Sequence, residues 1–136
     1  MFTYSHKLRV RYGDTDQMGY VYYGNYAYYY EQARAEAMRS IDLSYKEIED
    51  SGVMMPVTRM NVKYIQPAFY DQELVIKAIV PSLPNRIMVF KYEVLNPDGV
   101  LINEGETHLI FIDAVSKKIK NAPPVLLEKF KPYFKF

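Results

Sequence analysis

RYGDTDQMGYVYYGNY, residues 11–26, is the stretch on which the interpretation of the whole sequence depends. Asp14 and Asp16 precede a glycine-containing turn, and a helical segment follows in which seven of the eleven residues from 20 to 30 are tyrosine. A carboxylate, a turn and a helix start in this order allow an acid to face a carbonyl group that free helix N–H groups polarise. We therefore expect the functional site in this stretch.

A long helix is predicted from about Tyr22 to Ser40. Its apolar residues recur at spacings of four, three, four and four, which is one face of an α-helix. These residues are Tyr26, Tyr30, Ala33, Ala37 and Ile41. A short helix over about Ser44–Asp50 is expected next, because Ser44 and Glu47 have capping-box spacing.

Alternating apolar and polar residues predict strands on both sides of this helical region. The first covers Phe2–Tyr12, and Val53–Asp113 contains four antiparallel strands. Asn96-Pro97-Asp98-Gly99 predicts a hairpin turn before the last strand, in which Gly105 predicts a bulge or bend. A proline pair opens a short C-terminal helix. The pattern predicts a single α+β domain over residues 1–136, with a five-stranded antiparallel sheet wrapped around one long central helix.

Composition excludes several classes of protein. Seventeen basic and sixteen acidic residues leave a net charge of +1, which argues against nucleic acid as a partner. The sequence has no cysteine, so disulfides, thiol nucleophiles and cysteine-based metal sites are excluded. No apolar run reaches the roughly 20 residues of a membrane span. The N-terminus does not resemble a signal peptide, so we expect a cytoplasmic protein.

Asp14 and Asp16 allow three interpretations. Aspartates before a helix commonly bond to nearby backbone N–H groups. Carboxylates two residues apart can also share a divalent cation, but no further acidic cluster accompanies them and no metal is expected. In the third interpretation, one carboxylate attacks a thioester or activates water. A backbone N–H of Tyr22, Tyr23 or Gly24 then binds the oxyanion.

The two histidines carry little catalytic signal. His6 lies in the apolar register of the first strand and is expected to be a satisfied structural residue, whereas His108 is expected to be partly exposed. Neither has a serine–histidine–acid arrangement. No histidine lies between His6 and His108, so the long helix offers no imidazole for acid–base chemistry.

Residues 11–34 resemble the 4-hydroxybenzoyl-CoA thioesterase branch of the hot-dog fold superfamily. The shared features are an acid-x-acid turn, a glycine, an apolar-aromatic run, Asn-Tyr at the helix start and acid-x-Ala-Arg in the helix. Here they are Asp14-Thr15-Asp16, Gly19, Val21-Tyr22-Tyr23, Asn25-Tyr26 and Glu31-Gln32-Ala33-Arg34. A second matching segment comprises Tyr64, Pro67-Ala68, Asp71 and Leu74, and the order of elements agrees over about residues 4–130.

The resemblance implies a cofactor-independent acyl-CoA thioesterase. It places the catalytic carboxylate at Asp16, as a nucleophile that forms an anhydride or as a general base, and the carbonyl-polarising N–H at Tyr23. Tyr23 stands where the related Tol-Pal branch has a histidine. The candidate substrate-binding residues are Gly19, Tyr22, Asn25, Tyr26 and Glu31. Among these, Asn25 would fix the loop and Glu31 would face the acyl pocket of a partner subunit, because the family forms dimers or tetramers with sites at the subunit interface.

Two alternatives to an acyl-CoA thioesterase stay open. Acyl carrier protein thioesters contain the same bond, and a basic tail suits an acidic carrier. That tail comprises Lys117, Lys118, Lys120, Lys129, Lys131 and Lys135. A hot-dog dimer that binds acyl-CoA without hydrolysis is the other alternative, which the complete aspartate and helix-start motif disfavours. The acyl group is not determined, since aromatic walls accept aliphatic chains as readily as rings.

Overall fold

The computed structural model of the protein describes residues 1–134. The described residues form seven strands: β1 (Phe2–Arg9), β2 (Val53–Met54), β3 (Val57–Tyr64), β4 (Glu73–Val80), β5 (Ile87–Leu95), β6 (Leu101–Asp113) and β7 (Ile119–Lys120). The same residues form three α-helices: α1 (Tyr26–Ser40), α2 (Tyr45–Asp50) and α3 (Pro124–Phe130). Single 3-10 turns occur at Tyr12–Asp14, Tyr23–Asn25 and Lys131–Tyr133. None of the helices within residues 1–134 is both long and apolar enough to cross a membrane.

The five long strands form one antiparallel sheet in the order β1-β4-β5-β6-β3. The short strands β2 and β7 pair with the end of β6, at residues 111–113. The five predicted long strands are therefore confirmed. The two additional strands have two residues each, which is too short for an alternating pattern to be detected.

Helix α1 packs across β1 and β4, on the concave side of the sheet. The predicted stripe of Tyr26, Tyr30, Ala33, Ala37 and Ile41 is at most 9% exposed. The alternate residues of β4 and β5 from Leu74 to Val80 and from Met88 to Val94 are buried on the same side. Each fully buried large apolar side chain contributes about 1.5–3 kcal/mol. The predicted arrangement of a sheet around one central helix is confirmed.

Local capping and turn signals also have the expected structure. The Ser44 hydroxyl accepts the N–H of Glu47 at 3.1 Å and caps α2. In the β5–β6 hairpin, Asn96 Oδ1 accepts the N–H groups of Asp98 and Val100, both at 3.0 Å. These bonds satisfy backbone donors that the turn would otherwise leave unpaired.

Strand β1 ends earlier than predicted, at Arg9. The Val10 N–H still bonds to the Gln72 carbonyl, at 2.9 Å, and the chain then leaves the sheet in the 3-10 turn Tyr12–Asp14. Tyr12 was predicted in the apolar register of the strand, but it lies beyond the strand and is 78% exposed.

Gly105 does not form the predicted bulge. It pairs in register with Val62 of β3 and with Tyr92 of β5. A Cβ at Gly105 would lie 2.5 Å from the ring of Tyr30, which stacks on Tyr92 with ring centroids 4.2 Å apart. Glycine is therefore required for a close approach of the helix to the sheet. The irregularity in β6 lies instead at Ile102, where pairing with β5 shifts by one residue.

The histidine predictions have mixed outcomes. His6 Nε2 is buried and has no hydrogen-bond partner among the described residues, so the expectation of a satisfied histidine is wrong. His108 is partly exposed, as predicted, and its Nε2 lies 2.7 Å from Glu106 Oε2.

Candidate active site

Asp14 ties the loop that precedes α1 to the start of this helix. Its Oδ2 accepts the backbone N–H of Arg11, at 3.0 Å, and the hydroxyl of Tyr29, at 2.9 Å. Its carbonyl oxygen accepts the N–H of Tyr22, at 2.9 Å, and Nδ2 of Asn25, at 2.8 Å. Burial and the bond to Asp14 raise the pKa of Tyr29 far above its usual value, so its hydroxyl stays protonated as a donor. Oδ2 of Asp14 is therefore engaged in structural contacts, while Oδ1 has no hydrogen bond within residues 1–134.

Asp16 has one engaged and one free carboxylate oxygen. Oδ1 accepts the N–H groups of Met18 and Tyr20, at 2.9 and 3.3 Å. Backbone bonds from Asp16 N–H to the Tyr20 carbonyl and from Gly19 N–H to the Asp16 carbonyl close the same turn. Gly19 has a φ of +79°, which favours glycine there. No hydrogen bond within residues 1–134 involves Oδ2, so this oxygen is available to a ligand.

The 3-10 turn before α1 presents unpaired backbone donors. Its first internal bond runs from the Asn25 N–H to the Tyr22 carbonyl, at 2.9 Å. The N–H groups of Tyr23 and Gly24 precede this bond, and neither has an acceptor within the described chain. A Cβ at Gly24 would lie 2.7 Å from the Tyr22 ring, which would have to shift. Such free N–H groups can bind a negatively charged oxygen.

A cavity of about 290 Å³ brings the free carboxylate and the helix start together. Asp16, Tyr23 and Tyr26 line it from the N-terminal side, and Tyr64, Ile65 and Pro67 from the end of β3 and the segment that follows. Asp16 is the one carboxylate among the described lining residues. Burial raises the pKa of Tyr26 to about 12, so this phenol is neutral at physiological pH. The site therefore combines one acid, backbone donors and aromatic walls.

The other predicted site residues lie around this cavity rather than in it. Gly19 lines a neighbouring surface depression together with Asp16 and Tyr12. The Tyr22 ring packs on that of Tyr23, with centroids 4.6 Å apart, and is not part of the cavity lining. Asn25 holds the Asp14 carbonyl, as described above. Glu31 is exposed on α1 and does not line the cavity.

The end of β3 was not predicted as part of the site. The Tyr64 hydroxyl donates to the Tyr23 carbonyl, at 3.1 Å, and its ring centroid lies 5.7 Å from that of Tyr26. Tyr64 and Pro67 belong to the second segment of the family resemblance, which is the signal in the sequence. Their position beside the helix start follows only from the pairing of β3 with β6.

Two further sequence interpretations can be compared with the geometry. No three acidic or histidine side chains within residues 1–134 cluster so as to hold a metal ion. None of the described lysines of the C-terminal region lines the cavity, and two of them pair with acids: Lys120 with Asp113, at 3.9 Å, and Lys129 with Asp42, at 3.7 Å. Lys135 lies outside the described residues.

A sheet wrapped around one helix, with an acid and free N–H groups at the helix start, defines an enzyme of the hot-dog fold. The family model of the thioesterase-like superfamily matches residues 10–130. The chain therefore belongs to this superfamily, and the prediction of a thioester hydrolase is confirmed.

Individual relatives agree with this assignment. The acyl-CoA thioester hydrolase YbgC of Escherichia coli is 32% identical over 124 residues, which cover 91% of this chain and 92% of that protein. The structure of the DHNA-CoA thioesterase of Staphylococcus aureus is 32% identical, with a TM-score of 0.91 over 98% of this chain and 91% of that one. A 4-hydroxybenzoyl-CoA thioesterase structure has a TM-score of 0.82 over 95% and 99% of the two chains. At 19% identity, that likeness shows the fold alone.

Proposed function

We propose that this protein hydrolyses acyl-CoA thioesters with a small or medium acyl group, using Asp16 and the backbone N–H of Tyr23. One observation carries the proposal: Asp16, whose Oδ2 has no hydrogen bond within residues 1–134, lines the same cavity as the helix start, whereas Asp14 does not line it and bonds to Arg11 and Tyr29. The activities named for the Escherichia coli and Staphylococcus aureus relatives support acyl-CoA as the substrate class.

Two routes are compatible with this arrangement. In the first, Asp16 Oδ2 attacks the thioester carbonyl carbon, the C–S bond breaks, CoA leaves as the thiolate, and water hydrolyses the resulting anhydride. In the second, Asp16 removes a proton from a water molecule whose oxygen attacks the same carbon, and the thiolate again leaves. Both routes place negative charge on the carbonyl oxygen, where the Tyr23 N–H stabilises it.

The size of the cavity supports a limited acyl group. At about 290 Å³ it lies at the lower end of the roughly 300–1,000 Å³ of small-molecule pockets. It cannot enclose the acyl group and the whole of CoA together, so the carrier extends outside it. The rings of Tyr23, Tyr26 and Tyr64 offer apolar walls to either an aromatic or a short aliphatic group.

We also propose that the protein acts as a homodimer or homotetramer. Strand β3 is an open edge of the sheet, and all its residues except Val62 are exposed, including the apolar Val57 and Met60. Met60, on the inner side of this strand, is 37% exposed, since α1 contacts mainly β1 and β4. An exposed apolar edge strand is a template for pairing with another chain. A second copy at this edge would adjoin the cavity, where Glu31 of one subunit would face the acyl pocket of the other.

Thiol release from short, long and aromatic acyl-CoAs tests the function, with wild type beside Asp16→Asn and an Asp98→Asn control in the β5–β6 turn. We expect release by wild type and Asp98→Asn, and loss of release by orders of magnitude in Asp16→Asn. Equal turnover in all three proteins would refute the role of Asp16. If the protein binds CoA esters but releases no thiol from any of them, its substrates are carrier-protein thioesters or its role is binding alone. Thiol release from acyl carrier protein thioesters, measured in the same assay, distinguishes these two.

A further inference from the structure

The Tyr64 hydroxyl links the sheet to the helix start. Tyr64 is the last residue of β3, and its hydroxyl donates to the carbonyl oxygen of Tyr23, at 3.1 Å. Its ring lies edge-on to the rings of Tyr23 and Tyr26, with centroid distances of 6.4 and 5.7 Å and interplanar angles of 88° and 72°. The sheet thus contacts both the side chains and the backbone of the segment that precedes α1.

The backbone of this segment needs external support. Gly24 follows Tyr23 and has greater conformational freedom than other residues, and the N–H groups of both residues have no acceptor within residues 1–134. On one side, the Asp14 carbonyl holds Tyr22 and Asn25. On the other side, the carbonyl of Tyr23 accepts the N–H of Tyr26 within the turn and the hydroxyl of Tyr64 from the sheet. The peptide units that carry the free donors are therefore fixed between the loop and the sheet.

We propose that Tyr64 is a positioning residue for thioester hydrolysis, whose hydroxyl fixes the Tyr23–Gly24 peptide unit and thereby keeps the adjoining N–H of Tyr23 directed at the substrate carbonyl beside Asp16. The inference rests on the proposed function and extends it to a residue 41 positions away in the chain. A hydrogen-bond donor must be placed accurately, because a shift of about 1 Å in catalytic geometry can cost about a hundredfold in rate.

Stability alone does not account for the hydroxyl group. Tyr64 is 51% exposed, and water can replace a hydrogen bond at an exposed site at little cost in folding free energy. A phenylalanine would make the same ring contacts with Tyr23 and Tyr26. Burial of part of the side chain raises the pKa of Tyr64, which keeps its proton in place for donation.

Tyr64→Phe separates positioning from packing, and Tyr133→Phe is a matched control. Tyr133 is 46% exposed, its ring packs on that of Phe2 at 4.9 Å, and its hydroxyl has no partner within the described residues. We expect Tyr64→Phe to lower kcat about tenfold with KM within about twofold and the melting temperature unchanged. The control should match wild type in all three quantities.

Two unreactive CoA analogues provide a second measurement. A ketone analogue, with CH₂ in place of the sulfur, keeps the carbonyl group, whereas a thioether analogue lacks it. Tyr64→Phe should weaken binding of the ketone about fivefold and leave binding of the thioether unchanged, because only the ketone bonds to the positioned N–H. Equal weakening of both analogues, or a kcat equal to that of wild type, would overturn the assignment. An inactive wild type would instead refute the proposed function itself.

Discussion

Replacing the two loop aspartates one at a time separates catalysis from folding. In Asp16→Asn, the amide oxygen can still accept the N–H groups of Met18 and Tyr20, so the turn keeps its hydrogen bonds. The free carboxylate oxygen is replaced by an amide NH₂ group, which can neither attack the thioester nor remove a proton from water. We expect the free energy of unfolding to change by less than about 1 kcal/mol and kcat to fall by about 10²–10⁴-fold, the range for loss of a general base.

Asp14→Ala should have the opposite effect, a large loss of stability. It removes the acceptor of two hydrogen bonds, from the Arg11 N–H and the Tyr29 hydroxyl. Tyr29 is 3% exposed, so its hydroxyl would be left without a partner in a buried position. An unsatisfied buried group costs about 1–3 kcal/mol, and each bond to a charged group contributes about 1.5–3 kcal/mol. Since these terms overlap, we expect a loss of about 3 kcal/mol in the free energy of unfolding.

Urea unfolding and thiol-release kinetics on the same preparations test both variants. Kinetics should be measured well below the urea midpoint, with activity normalised to the folded fraction. The reasoning fails if Asp16→Asn unfolds about 3 kcal/mol more easily than wild type, because its loop bonds would then not be preserved. It also fails if Asp14→Ala keeps wild-type stability, or if Asp16→Asn retains full kcat.

Three further predictions follow from packing, titration and the open edge strand. Gly105→Ala should lower the free energy of unfolding by about 3 kcal/mol, because its Cβ would press on Tyr30, whereas Gly13→Ala, with nothing within 4 Å, should change it by less than about 0.5 kcal/mol in the same urea assay. The pKa of Tyr26, about 12 in the folded protein, exceeds the usual value of 10. The unfolded chain therefore loses this proton first, and stability should fall between about pH 10 and pH 12 by about 2.7 kcal/mol from this group. In Tyr26→Phe this contribution should be absent. Urea unfolding measured at a series of pH values between about pH 10 and pH 12 tests this. Met60→Glu, on the exposed inner side of β3, should shift sedimentation from dimer or tetramer towards monomer.

Each of these predictions has a contrary result. Equal stability of Gly105→Ala and Gly13→Ala would mean that Tyr30 can move away at no cost. If the free energy of unfolding of Tyr26→Phe falls with pH as steeply as that of wild type, the loss of stability at alkaline pH comes from other tyrosines. A monomeric wild type would remove the basis for the Met60 prediction, and an unchanged oligomer in Met60→Glu would place the interface elsewhere.

The secondary structure was determined largely by local pattern. The stripe from Tyr26 to Ile41 predicted the central helix, because only a 3.6-residue period places those residues on one face. Alternation predicted the five long strands for the same kind of reason. Gly105 shows the limit of such signals: glycine in a strand is compatible with a bulge or with a close contact, and only the position of the Tyr30 ring distinguishes the two.

The candidate site depended on contacts that a linear pattern does not contain. Asp14 and Asp16 are equivalent turn formers by local chemistry, and the sequence by itself favoured Asp16 only through a family resemblance. The tertiary structure separates them, since α1 brings the Tyr29 hydroxyl to Asp14, whereas Asp16 lines the cavity beside the helix start. Tyr64 reaches the helix start because the pairing of β3 with β6 places the end of β3 beside the segment that precedes α1. Local periodicity determined the elements, whereas long-range packing decided which aspartate and which tyrosine of β3 line the cavity.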